Sequence, residues 1–262
     1  MSANPHLAAF LTPPRVRELS REQDFLAQSK ISKVRLGESG FARGGGDEIQ
    51  IYRWGERGPA VLFVHGWGGR AANFEAIVMA LRGRGLRAVS FDAPGHGRSG
   101  GTLSSAPAFA RSIEAATVQY GAFRAVVAHS IGAVATALAL GKSLSAERVA
   151  LLGSCCWVEP LAVAFARGRG SSEEDVQTML DAARMEFSPE EASAEISARR
   201  LEGIPALLMH DPQDAEMPYA HSVALAAAWR GAALENARGV GHRRILRARD
   251  IVECVTRYVG EA

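Results

Sequence analysis

Short apolar runs alternate along most of the chain with stretches whose apolar residues recur at three- and four-residue spacing. The first kind reads as buried strand and the second as amphipathic helix. Strands are predicted at 49–54 (IQIYRW), 60–65 (AVLFVH), 86–92 (LRAVSFD), 125–128 (AVVA), 148–152 (RVALL), 205–209 (PALLM) and 233–237. Between them, helices are predicted over 71–84, where Phe74, Ile77, Val78 and Leu81 share one face, and over 107–121, 132–140, 219–229 and 250–259. Such alternation implies a mostly parallel sheet with helices on both faces. The pattern breaks between about 155 and 203, which holds no good strand but several stretches rich in Glu, Ala and Arg. The Ser-Ser-Glu-Glu before Val176 and the Ser-Pro-Glu-Glu from Ser188 look like helix starts. The expected division is therefore a core of residues 1–154 and 203–262, with 155–202 inserted as a small helical cap.

Composition narrows the class. The length, 262 residues, suits one α/β domain with a modest insertion. A net charge of +2 gives no electrostatic case for nucleic acid or for a membrane surface. No run approaches the roughly 18 apolar residues of a membrane span, and Pro13-Pro14 interrupts an opening that lacks a basic start followed by an apolar core. Adjacent Cys155 and Cys156 are badly placed to bridge each other, and Cys254 stands alone, as expected of a reducing compartment or simply of buried small hydrophobes. A soluble cytoplasmic protein is the default expectation. Lys appears only at 30, 33 and 142 against many Arg, a usage expected of a GC-rich bacterial genome. Gly44-Gly45-Gly46 reads as a flexible loop without the strand and helix that a phosphate cradle needs.

The candidate chemistry centres on Val127-Ala128-His129-Ser130-Ile131-Gly132, a serine set between a buried strand and a helix. A sharp turn there would lift the Ser130 hydroxyl out at the carboxyl ends of the strands. Small residues two before and two after, Ala128 and Gly132, would let strand and helix close around it.

Two further stretches each follow an apolar run: His65-Gly66-Trp67-Gly68-Gly69 and Phe91-Asp92-Ala93-Pro94-Gly95-His96-Gly97-Arg98-Ser99. With the serine motif they resemble the α/β-hydrolase family over about residues 49–153 and 203–260, in the family's order. The usual motif has Gly where Ala128 stands, a departure of one methyl. The resemblance implies an α/β-hydrolase fold and an oxyanion hole built from the backbone N–H groups of Trp67 and Ile131. It also implies an acid after a late strand and a histidine after the last one. Leu207-Leu208-Met209-His210-Asp211-Pro212-Gln213-Asp214 offers two acids. The family arrangement of His-Gly-x-x-Asp, then a hydrophobic residue and Pro, fits Asp214 with Met217 and Pro218, and puts Asp211 in the place of the Gly. His242, in Gly239-Val240-Gly241-His242-Arg243-Arg244, takes the place of the base. Ser130, Asp214 and His242 then form a triad that needs no metal or organic cofactor.

The function this implies is a serine hydrolase, a carboxylesterase acting on a small-molecule acyl substrate through an acyl-enzyme on Ser130. Thioester, lactone and amide hydrolysis and perhydrolysis use the same constellation. A non-catalytic ligand-binding or receptor protein on the same fold is the competing class. Trp157, Phe165, Met179 and Phe187 are the apolar cap residues expected to line the pocket, with simple core packing the equal alternative for each. His65, Asp92 and His96 are expected to brace loops, and His129 to point away from Ser130. His6, His210 and His221 read as surface or packed groups without companions, and the glutamates at 173–174 and 190–191 as solvated helix starts. Neither oligomeric state nor physiological substrate is encoded in any of these motifs.

Overall fold

The computed structural model describes residues 4–36, 48–140, 142–201 and 203–260; Gly44-Gly45-Gly46 lies outside them. Eight strands form one sheet: β1 (Lys30–Arg35), β2 (Glu48–Trp54), β3 (Ala60–Val64), β4 (Arg87–Asp92), β5 (Ala125–His129), β6 (Val149–Leu152), β7 (Ala206–His210) and β8 (Ala232–Asn236). Their order across the sheet is β1-β2-β4-β3-β5-β6-β7-β8. β4 through β8 run parallel, while β2 pairs antiparallel with β4, and β1 with β2.

The helices are α1 (Pro5–Phe10), α2 (Ser20–Ala27), α3 (Glu75–Arg82), α4 (Ala106–Tyr120), α5 (Gly132–Ala139), α6 (Glu159–Gly168), α7 (Glu173–Glu186), α8 (Pro189–Ala192), α9 (Ala194–Ala198), α10 (Ala220–Ala228), α11 (Gly241–Arg244) and α12 (Arg249–Gly260). Every residue of β3, β5, β6 and β7 is buried. Beneath that uniform burial the strand period of two still operates. Leu62, Val64, Val126 and Ala128 pack on the face covered by α4, α5, α9 and α10, whereas Val61, Phe63, Ala125 and Val127 pack on the face covered by α3 and α12. Both faces are dry, and the polar residues of these four strands, His129 and His210, stand at the carboxyl ends of β5 and β7.

The predicted strands and helices all form, with ends shifted by a residue or two. The predicted 71–84 helix begins as a 3₁₀ turn at Ala71–Phe74 before becoming α3. Three elements carry no strong pattern in the sequence. β1 (KISKVR) is a mostly exposed edge strand whose charges suit an edge. α1 is a six-residue helix, started by Asn4, whose side chain accepts from the N–H groups of His6 and Leu7, and by Pro5. α2 buries only Phe25 and Leu26, which pack beside Trp54 and Tyr52 on the outer face.

Among the described residues, four helices and no strand separate β6 from β7. Ser172 and Ser188 cap α7 and α8, each accepting from the N–H three residues on, as the two Ser-Glu patterns predict. Ala194 and Ala198 of α9 belong to the main core cluster. α6 and α7 instead form a separate cluster with the N-terminus, in which Leu7 and Leu11 pack against Ala162, Ala166, Val176, Met179 and Leu180. No described helix is long and apolar enough to cross a membrane.

Candidate active site

Ser130 ends β5 and precedes α5, and its φ of 55° is the only positive value among the described non-glycine residues. An L-residue held there carries strain of about 1–2 kcal/mol, which persists only where surrounding packing fixes it. The packing is tight on both sides. A β-carbon on Gly66 would fall 2.9 Å from Ser130 Cβ and 2.7 Å from His129 Nδ1. One on Gly132 would fall 2.7 Å from the Val64 carbonyl oxygen. Glycine at 66 and 132 thus lets the β3 loop and the start of α5 close on the serine.

Ser130 N–H donates to the Leu152 carbonyl, and Ser130 C=O accepts from Ala133 and Cys155. The N–H groups of Trp67 and Ile131 donate to no main-chain carbonyl among the described residues. They remain available to a ligand.

Asp214 lies after β7 and His242 in α11, beyond β8. His242 Nδ1–H donates to Asp214 Oδ2 at 2.8 Å, which leaves Nε2 as an acceptor. Asp214 Oδ1 accepts from the N–H groups of Glu216 (2.8 Å) and Met217 (2.9 Å). Burial opposes ionisation of Asp214, but the bonds from His210, His242 and Met217 N–H outweigh it and hold the carboxyl well below the usual range. Asp214 is therefore a carboxylate facing the imidazole. Asp211 serves the loop: its Oδ2 accepts from Gly241 N–H at 2.7 Å and its Oδ1 from Gln213 N–H at 3.0 Å. Its side chain ties the β7 turn to the loop carrying His242, a tie that the family's usual glycine lacks the atoms to make.

The loop-bracing expectations agree with the observed contacts. His65 Nδ1–H donates to Gly66 C=O at 2.7 Å and its Nε2 accepts from Ala93 N–H at 3.0 Å. Asp92 accepts from Ala71 N–H, Arg98 N–H and Tyr52 O–H. His96 Nδ1–H donates to Pro94 C=O. Burial keeps His65 neutral, with its pKa lowered to about 4.

Other histidines correct the sequence reading. His129 points off the serine but stays in the site: its Nε2–H donates to the His242 carbonyl at 2.9 Å, and the two rings lie 4.6 Å apart. Burial, with the neighbouring His242 second, lowers the His129 pKa to about 3, so it serves as a neutral donor. His210 is fully buried and has companions: Ser222 O–H donates to its Nδ1, its Nε2–H donates to Met217 C=O, and Nε2 lies 3.4 Å from Asp214 Oδ2. His221 is buried too, accepting from Cys156 N–H at 3.1 Å. His6 of α1 lies 3.5 Å from Asp175 of α7. Sequence offers one clue to these roles, namely that His129 and His210 each end a buried strand near a candidate site residue. The pairing of His129 with the His242 carbonyl spans 113 positions and has no local signal.

A cavity of about 1220 Å³ opens at Ser130 and His242, with Trp67 and Ile131 also in its wall. Of the four cap residues expected to line it, Phe165 and Phe187 do. Trp157 does not: its ring packs against His221 and its Nε1–H donates to Glu195. Nor does Met179, fully buried on α7 in the cluster with α6 and the N-terminal leucines. Both side chains point into helix contacts that the sequence could not assign. The wall also holds Leu7, Phe10, Leu11, Pro14 and Val16, from a segment without expected site residues. Phe10 stacks on Trp67 at 6.4 Å and meets Phe165 edge-on at 5.5 Å.

Comparison with known families matches residues 55–173 to the serine aminopeptidase S33 family model. No curated protein sequence matches the chain. Among solved structures, an esterase from Exiguobacterium antarcticum superposes with a TM-score of 0.64 at 18% identity, covering 84% of this chain and 98% of its own. A bromoperoxidase from Bacillus anthracis gives 0.66 at 16%, covering 88% and 100%. A monoacylglycerol lipase from Paleococcus ferrophilus gives 0.62 at 18%, covering 81% and 98%. Identities this low carry the fold and leave the substrate open. With its sheet order and these superpositions, this chain has the α/β-hydrolase fold, and its segment from 55 to 173 is similar to the serine aminopeptidase S33 family.

Proposed function

We propose that the protein is a serine esterase in which Ser130 attacks the acyl carbonyl. His242 Nε2 takes the hydroxyl proton, and Asp214 holds the imidazole with Nδ1 protonated and stabilises its cation. The N–H groups of Trp67 and Ile131 donate to the oxyanion, each contributing about 2.7–4 kcal/mol to the transition state. His242 then gives its proton to the leaving group, and water repeats the sequence to free the acid and restore Ser130. α6 and α7, with α1 beneath them, serve as the cap over the acyl group.

The observation that carries this reading is the strained, positive-φ serine sharing one cavity wall with an imidazole already bonded to an ionised carboxylate. Ser130→Ala should abolish turnover of p-nitrophenyl butyrate while leaving the circular dichroism spectrum unchanged, and a fluorophosphonate should label the wild-type chain at Ser130. Retained turnover in the variant, or an unlabelled wild-type serine, would remove Ser130 from the chemistry.

A further inference from the structure

The walls of the cavity change character from one end to the other. Under α6 and α7 they are apolar, built from Leu161, Phe165, Leu180 and Phe187 with Phe10 and Trp67 opposite. The charged residues at that end are satisfied internally: Arg184 pairs with Glu159 at 3.0 Å, and Glu191 accepts from Ser188 N–H. The other end lies between the extended chain after α1, helix α3 and the segment following α11. It exposes Val16, Leu19 and Met79, at 58%, 53% and 46%. Three large apolar side chains left open along one groove mark a binding surface.

The same end carries an excess of cations. Arg70 lies against Glu22, and Arg243 pairs with Glu216. That leaves Arg17, Arg21 and Arg247, all exposed and without an ion pair or side-chain hydrogen bond among the described residues, against Glu75 alone. Arginine forks fit phosphate oxygens two at a time. Ser130 and His242 line the same cavity as both sets of residues, so an acyl chain seated under the cap would leave its leaving group to the arginines.

We propose that the substrate is an acyl ester or thioester whose leaving group bears phosphate, the acyl chain lying under α6 and α7 and the phosphate against Arg17, Arg21 and Arg247. The proposal rests on Ser130 being the nucleophile. The bond from the acyl carbon to the leaving oxygen or sulfur breaks, and the Ser130 Oγ–acyl bond forms. The serine proton passes through His242 to the leaving group. Water then supplies the hydroxyl of the released acid and returns a proton to Ser130, so nothing is oxidised or reduced.

The test compares octanoyl-coenzyme A and 1-octanoyl-glycerol 3-phosphate with p-nitrophenyl octanoate and mono-octanoylglycerol, all below their critical micelle concentrations. The wild-type enzyme and the variant carrying Arg17→Gln, Arg21→Gln and Arg247→Gln are assayed in low and high salt. The ratio of kcat/KM for phosphate-bearing over neutral substrates should fall about tenfold in the variant, as expected for three exposed charge contacts together, and salt should lower it in the wild type alone. The larger effect among the two phosphate-bearing substrates identifies the source, thioester or phosphoglyceride. An unchanged ratio overturns the proposal, as does wild-type enzyme that cleaves only the neutral esters. Failure to cleave any of the four, with Ser130 unlabelled by fluorophosphonate, overturns the esterase reading itself.

Discussion

Gly132→Ala tests whether close approach at the serine turn is what positions the candidate site. Gly132 opens α5 with an ordinary negative φ, so only space forbids a side chain there. The new methyl would sit 2.7 Å from the Val64 carbonyl oxygen, 3.0 Å from that of His65 and 3.1 Å from Val64 Cγ1. Two of those neighbours are main-chain atoms at the end of β3, which is hydrogen-bonded on both sides to β4 and β5 and cannot yield alone. The helix must instead retreat by roughly 0.7 Å for the nearest approach to reach 3.4 Å, where ordinary contact begins. Overpacking of this kind costs about 3 kcal/mol at the upper end of its range. Better helix propensity returns up to ~1 kcal/mol, leaving a net loss of about 2 kcal/mol. The retreating helix carries Ser130 and the Ile131 N–H with it. Because about 1 Å of misplacement can cost ~100-fold in rate, kcat for p-nitrophenyl butyrate should fall between about 10- and 100-fold. Gly168→Ala near the end of α6, where a methyl meets nothing within 4 Å, is the control and should be neutral or slightly stabilising. Urea unfolding gives the stability and steady-state kinetics the rate. A Gly132→Ala protein within about 0.5 kcal/mol of wild type and within twofold in kcat would refute the reasoning.

Two other predictions concern charge. Asp214→Asn should lower kcat by roughly 10⁴-fold, since an amide cannot hold His242 in the required tautomer; Asp211→Asn should cost far less, because Asp211 reaches only main-chain N–H groups. Near-equal kinetic losses would show that the roles of the two acids are misassigned. Acid should also destabilise the fold. His65 and His129, lowered to about 4 and about 3 from 6.5, stay neutral where the unfolded chain takes up protons. Their stabilisation is therefore present above pH ~6.5 and is lost as pH falls from there toward 4. Between pH 7 and 5 the loss is about 2 kcal/mol for each, read as a lower urea midpoint. His129→Gln, which can still donate to the His242 carbonyl, should shrink that drop by about 2 kcal/mol, buried His65, His96 and His221 supplying the rest; an undiminished drop would count against His129 as one of its sources.

The sequence-derived positions of β3, β5 and β7 hold to within a residue because a short apolar run between turn residues has few alternatives once the chain must bury it. Ser130 and Gly132 are readable as a local motif for the same reason: a serine turn between strand and helix is written in consecutive residues. The N-terminal segment is different. α1 is too short to show a period, and what stabilises it is Leu7 and Leu11 meeting Met179 and Val176 about 170 positions later. Nothing local distinguishes those leucines from ones that face solvent.

The chain's own order of apolar and small residues determined the parallel sheet, the strained turn and the set of residues available for chemistry, since each depends on neighbours a few positions apart. Which acid faces His242, that His129 and His210 support the pair, that Trp157 and Met179 turn away from the cavity and that residues 7–22 help wall it were decided only by folding. Those facts depend on where distant loops meet at the carboxyl edge of the sheet, and hydrogen bonds spanning 28 or 113 positions leave no periodic trace in the sequence.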